Sequence, residues 1–205
     1  VLPKENEPFI TSRHLGVRTA EESDDEYYEK CADFVERNLD IDRIISLSSE
    51  FETVVKQPAA SFHKTAYIAY DKAFSFYYSA NLRYLKDCGY KIEYFSPLKD
   101  EPAGGDFIYL GGGYPELYGK DLADSRNCID SVVEASEKGV PVLAECGGMM
   151  FLGKSVETAQ GFFDMAGVFD FDTVVTNKRK ALGYVKAELT ENCILGDKGN
   201  FCLAH

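Results

Sequence analysis

No run of apolar residues in this 205-residue chain approaches the roughly 20 needed to cross a bilayer. The N-terminus also lacks the basic-then-apolar pattern of a secretory signal, so no membrane partner and a cytoplasmic location are expected. Basic residues are scarce, with 22 Lys and Arg against 34 Asp and Glu and a formal net charge of -12. Such a balance argues against nucleic acid or an anionic membrane as the main partner. The six cysteines, Cys31, Cys88, Cys128, Cys146, Cys193 and Cys202, form no C-x-x-C pair, which removes zinc and dithiol sites from the readings. No metal site is expected, and in a cytosolic chain the thiols should be free, with at most one of them reactive. Histidine is limited to His14, His63 and His205, and the Gly111-Gly112-Gly113 turn is not followed by the Lys-Ser/Thr of a P-loop.

What is present begins with a Pro- and charge-rich opening, Val1 to Pro8, without an initiating Met, read here as the tail of something longer. Thr19-Ala20-Glu21-Glu22 looks like a capped helix start, and Tyr27, Tyr28, Cys31, Phe34 and Val35 continue it at helical spacing. A second short helix is expected from Asp42 through Leu47. These helices have a stripe to bury and no strand beside them, which leaves a homodimer open. A polar linker around Gln57-Pro58-Ala59-Ala60-Ser61 then divides residues 1–60 from residues 61–205.

Beyond the linker, strands at Ala66–Tyr70, Lys91–Phe95, Asp106–Leu110 and Val140–Ala144 alternate with helices near Ser79–Cys88 and Asp121–Lys138. Such alternation implies right-handed crossovers and a parallel sheet covered on both faces, with ligands gathering at the carboxyl ends of the strands. Asp71, Gly111-Gly112-Gly113 and Cys146 all fall at such ends. Short strands expected over Phe162–Phe171, Thr173–Arg179 and Ala181–Leu189 make an antiparallel addition, and Phe201–His205 reads as a last one.

Val140-Pro141-Val142-Leu143-Ala144-Glu145-Cys146-Gly147-Gly148-Met149-Met150-Phe151 reads as strand, tight turn and helix with a cysteine at the corner. At a helix N-terminus the thiolate would be favoured, which suits a nucleophile. A buried structural cysteine before a Gly-rich turn is the competing reading. A nucleophile attacking an amide also needs donors for the oxyanion, and the N–H groups of Gly112 or Gly113 together with that of Gly147 could supply them. None of the three histidines commends itself as the base. His14 and His63 read as surface or packing residues, and a terminal His205 is poorly placed to be held accurately.

With both turns in hand, the sequence resembles the class I (triad-type) glutamine amidotransferases, a flavodoxin-like fold. Gly-Gly-Gly-Tyr-Pro-Glu at 111 to 116 and Ala-Glu-Cys-Gly-Gly-Met-Met at 144 to 150 point to the branch that amidates tetrapyrrole carboxylates. Asp71-Lys72-Ala73-Phe74-Ser75-Phe76-Tyr77-Tyr78, Leu182-Gly183-Tyr184 and Arg13-His14-Leu15-Gly16 resemble further motifs of that branch. Ser12 stands where the branch usually has Glu, and Ala204-His205 stands where it continues Gly-His-Glu-Phe-His. The resemblance implies Cys146 as nucleophile, an oxyanion hole from Gly112, Gly113 and Gly147, and glutamine as amide donor. It also implies a tetrapyrrole acceptor, cobyrinate or nickel-sirohydrochlorin, and an N-terminal ATPase domain using ATP and Mg2+ whose helical remnant would be residues 1–60. The branch's paired histidine lies beyond His205, so weak or absent glutaminase turnover is expected of this chain alone. Another cysteine enzyme of the same fold, or a non-catalytic binding module that keeps the turn, are the alternatives.

Overall fold

The computed structural model describes Pro3 and residues 25–49, 61–176 and 183–204. The chain falls into two compact units, Val1–Gln57 and Pro58–His205. Two helices are described in the first, α1 (Asp25–Asn38) and α2 (Ile41–Leu47). Asp25 and Glu26 in the first turn of α1 and Arg37 in its last complement the helix dipole. Asp40 caps α2, accepting from the Arg43 N–H at 2.8 Å. The helix start expected at Thr19 lies outside the described residues.

The second unit is built on four parallel strands: β1 (Lys64–Ala69), β3 (Tyr90–Phe95), β4 (Phe107–Leu110) and β6 (Val142–Ala144), in the order β3-β1-β4-β6. This is the flavodoxin-like order, with its switch between β1 and β4. Side chains alternate between the two faces. On one face Ala66, Ile68 and Tyr109 pack with Leu82 and Leu85 of α3 (Ser79–Asp87). On the other, Ala69, Ile108 and Leu110 form a larger core with Leu122 of α4 (Gly119–Asp124), Ile129 and Val132 of α5 (Arg126–Glu137), and Phe151 and Leu152 of α6 (Gly147–Leu152). α3 ends where Gly89 takes a φ of +84°, a left-handed turn that glycine adopts without strain.

The single helix expected over Asp121–Lys138 is two, broken at Ser125. The Ser125 hydroxyl does not cap α5; it donates back to the Asp121 carbonyl at 2.7 Å. Capping comes instead from Asp100, whose carboxylate accepts from the Cys128 N–H at 2.9 Å and from the Asn127 side chain. Asp100 also sits at a φ of +56°, a conformation that Asp tolerates better than most residues. Asp100→Ala should therefore lower stability by about 1–2 kcal/mol in urea unfolding, from the lost cap and the left-handed backbone, while Asp100→Asn keeps most of it.

The expected antiparallel addition forms sheets separate from the main one, and one of them is mixed, with a parallel pair beside an antiparallel one. β2 (Phe74–Phe76) pairs antiparallel with β5 (Gly112–Gly113), a contact that sequence periodicity does not announce. β7 (Ser155–Thr158), β8 (Gly161–Asp164) and β9 (Asp172–Val174) form a sheet in the order β8-β7-β9, and β10 (Val185–Glu188) pairs with β11 (Phe201–Ala204). The expected Phe162–Phe171 strand is thus shorter and starts earlier, with β7 preceding it. Residues 177–182, including most of the expected strand junction there, lie outside the described residues. No helix among the described residues is long and apolar enough to cross a membrane.

Candidate active site

The corner between β6 and α6 is made by Glu145 and Cys146. Cys146 is the N-cap of α6 at φ 50°, ψ -110°, one of two non-glycine residues with positive φ among those described. A strained cysteine is kept there because its surroundings leave the chain no other route. The Glu145 N–H donates to the Leu110 carbonyl at 3.0 Å, and the Gly148 N–H donates to the carbonyls of Gly111 and Glu145, both at 2.9 Å. A Cβ on Gly148 would lie 2.1 Å from the Leu110 carbonyl oxygen, so only glycine lets the helix start this close to β4. The corner therefore lifts Cys146 out of the sheet, and the side chain is exposed. The buried structural cysteine of the sequence reading is not what the chain builds at this position.

Gly112 and Gly113 approach from β5. A Cβ on Gly112 would lie 3.6 Å from the Cys146 Cβ, so the bare face of this glycine looks onto the cysteine. A Cβ on Gly147 would lie 3.3 Å from the Gly113 nitrogen and 2.7 Å from Cδ of Pro115, which is buried at the start of a 3-10 turn over Pro115–Tyr118. Gly112, Gly113 and Gly147 are thus brought together at the Cys146 corner, with the Phe76 side chain also against Gly112 and the Pro115 ring against Gly147. As the first residue of α6, Gly147 carries one of the N–H groups that a helix leaves without an intrahelical partner.

The structure separates His63 from this group. It precedes β1, at the amino edge of the sheet, where its Nε2 lies 3.0 Å from the Ser61 hydroxyl. At about 3.3 Å per residue, the six residues of β1 put it about 20 Å from the carboxyl edge. His14 and His205 lie outside the described residues.

Asp71 stands at the carboxyl edge as the alternating pattern expects, yet its oxygens are already engaged. Oδ1 accepts from the N–H groups of Ala73 and Phe74 at 2.8 and 3.2 Å, and Oδ2 from the Ser96 hydroxyl and the Leu98 N–H, both at 2.9 Å. The carboxylate ties the loops after β1 and β3 together, a structural joint rather than a ligand group. Two tyrosines that sequence reasoning did not single out complete the surroundings. The Tyr109 hydroxyl donates to Glu145, the residue before the cysteine, and accepts from the Asn81 side chain at 3.2 Å. Burial, and then the Glu145 carboxylate, push its phenol up to about 12. Tyr77 makes a comparable bridge on the glycine side. Neither role has a local sequence signal, because each partner lies tens of residues away.

A doubly wound parallel sheet with a cysteine at a strained strand-to-helix corner, walled by glycine backbone, defines an α/β enzyme of the amidotransferase type. Residues 65–199 match the family described as the CobB/CobQ-like glutamine amidotransferase domain, and the chain belongs to that family. Its curated relatives include proteins named cobyrinate a,c-diamide synthase. The chain is 38% identical to the one from Caldanaerobacter subterraneus subsp. tengcongensis over 216 aligned residues, covering 100% of this chain and 47% of that relative. It is 36% identical to the one from Listeria monocytogenes, covering 100% and 47%. For the one from Methanocaldococcus jannaschii the identity is 37%, covering 97% and 45%. The chain spans about half the length of the curated relatives it matches.

Proposed function

We propose that this chain is the glutamine-hydrolysing part of a cobyrinate a,c-diamide synthase, with Cys146 as the nucleophile. The observation that carries the proposal is the exposed Cys146 at a strained corner, close enough to Gly112 that a Cβ there would lie 3.6 Å from its own. In this reading the Cys146 thiolate adds to the side-chain carbonyl carbon of glutamine, and the carbonyl oxygen takes up the negative charge. The N–H groups of Gly147 and of Gly113, with Gly112 beside it, stabilise that oxygen. The C–N bond breaks as the nitrogen gains a proton and leaves as ammonia. Water then hydrolyses the glutamyl thioester, releasing glutamate and the thiol. The described residues place no histidine at this edge, so turnover by the chain alone is expected to be weak.

ATP and Mg2+, which the resemblance implies for the complete enzyme, do not fit the residues present. Gly148–Ser155 spells the P-loop pattern, but its spacer is helix α6, Lys154 pairs with Asp170 at 2.8 Å and Ser155 opens β7, so it forms no phosphate loop. Among the described residues no group of three or more His, Cys, Asp or Glu sits together. We assign nucleotide use and the cobyrinate acceptor to the larger protein, with residues 1–60 as the tail of its nucleotide-binding domain. The glutamine half is tested with 6-diazo-5-oxo-L-norleucine and peptide mapping by mass spectrometry. One adduct at Cys146, blocked by excess glutamine, is expected. Labelling scattered over several cysteines, indifferent to glutamine, would refute the proposal. Cys128 serves as an internal negative, since it is buried and its thiol is pushed up to about 12, mainly by that burial.

A further inference from the structure

The glycine turn is held from both sides. From the elbow, the Gly111 carbonyl accepts from the Gly148 N–H at 2.9 Å. From the opposite side, the Gly111 N–H donates to the Tyr77 hydroxyl at 2.9 Å, and that hydroxyl donates in turn to the carbonyl of Ala69, the last residue of β1. One phenolic oxygen thereby connects the ends of β1 and β4, and Gly111 passes the connection on to the helix that begins beside Cys146. The ring is itself fixed, edge-on to Tyr109 with centroids 5.1 Å apart and tilted against Tyr70 at 6.3 Å. Gly111 lies flat on it: a Cβ at that residue would come within 2.5 Å of the Tyr77 ring.

We propose that Tyr77 is a positioning residue for the glutaminase reaction, its hydroxyl setting where the Gly111–Gly113 turn stands relative to Cys146. The proposal rests on the glutaminase reading above. Gly111 is buried and Ala69 is fully buried, so removing the hydroxyl would leave an N–H and a C=O without this partner in an interior that tolerates neither. The turn would have to move to recover them. Burial also pushes the phenol far above its ordinary range, so it stays a protonated donor at any working pH. Tyr77→Phe keeps the ring and removes only the oxygen. It should leave the thiol as accessible as before while displacing the turn that the oxyanion faces.

Two reagents separate those effects. Iodoacetamide alkylates the thiol without calling on the turn, whereas 6-diazo-5-oxo-L-norleucine presents a carbonyl that must seat its oxygen against it. In Tyr77→Phe the rate of Cys146 modification by the diazo-ketone should fall by at least about tenfold, with the iodoacetamide rate changed by less than about twofold. Tyr84→Phe, at a tyrosine exposed on α3, should change neither rate. Equal diazo-ketone rates in Tyr77→Phe and wild type would overturn the positioning role. An equal loss with both reagents would overturn it too, because the hydroxyl would then hold the corner or the fold as a whole, and a thermal melt identifies which. Failure of the wild type to take the diazo-ketone at Cys146 overturns the glutaminase reading itself, and is distinguished from the others by needing no variant.

Discussion

Cys146→Ala should take no diazo-ketone label and lose on the order of 10^4-fold or more of any glutamine hydrolysis, because no other group can form the thioester. A second substitution at the same position makes the test sharper. At φ 50° and ψ -110° a side-chain-bearing residue stores strain of about 1–3 kcal/mol. Cys146→Gly should relieve part of it and raise the urea midpoint by the equivalent of about 1 kcal/mol, while the label is lost just as completely. A gain of stability with a loss of chemistry at one position is the signature of a conformation retained for function. Were Cys146→Gly to destabilise the protein, the corner would be a packing feature and the cysteine an ordinary part of it.

Gly148→Ala is the second large effect. Its Cβ would lie 2.1 Å from the Leu110 carbonyl oxygen and 2.7 Å from the Leu110 carbonyl carbon, and these backbone atoms belong to the central sheet and have no room to retreat. A loss of about 3 kcal/mol or more is expected in equilibrium unfolding, together with slower labelling of Cys146 as α6 is pushed away from β4. Gly183→Ala, where a new Cβ meets nothing within 4 Å, should change stability by less than about 0.5 kcal/mol. Similar losses at the two sites would mean that the approach of α6 to β4 is not the constraint described here.

The strand-turn-helix around Cys146 could be read from the residues because its determinants are contiguous. An apolar run, two glycines and a second apolar run specify β6, the corner and α6 in about a dozen residues. The parallel sheet was legible for the same reason, since each strand is a short apolar run closed by a glycine, a proline or an acid. What the sequence conceals is carried by partners far apart in the chain. Asp100 caps a helix that begins 26 residues later, and Tyr77 reaches a glycine 34 residues on. The break at Ser125 is hidden because its hydroxyl, a normal N-cap group, turns back to Asp121. Asp71 shows the opposite error: an acid at a strand end looks like a ligand until its hydrogen bonds are traced.

The pairing of β2 with β5 has a consequence for how a substrate could reach this domain. In doubly wound sheets the natural berth for a small molecule is the crevice where neighbouring connections leave in opposite directions, here between β1 and β4. That berth is bolted shut: Phe74 and Phe76 are laddered onto Gly113 and Gly112, and the Tyr77 oxygen joins the two strand ends behind them. The vacancy such folds offer to cofactors is filled by the protein's own backbone. The exposed Cys146 thiol stands one strand further over, just past β6, so under the glutaminase proposal a visiting amide would be received beside the fold's customary harbour, at a neighbouring quay.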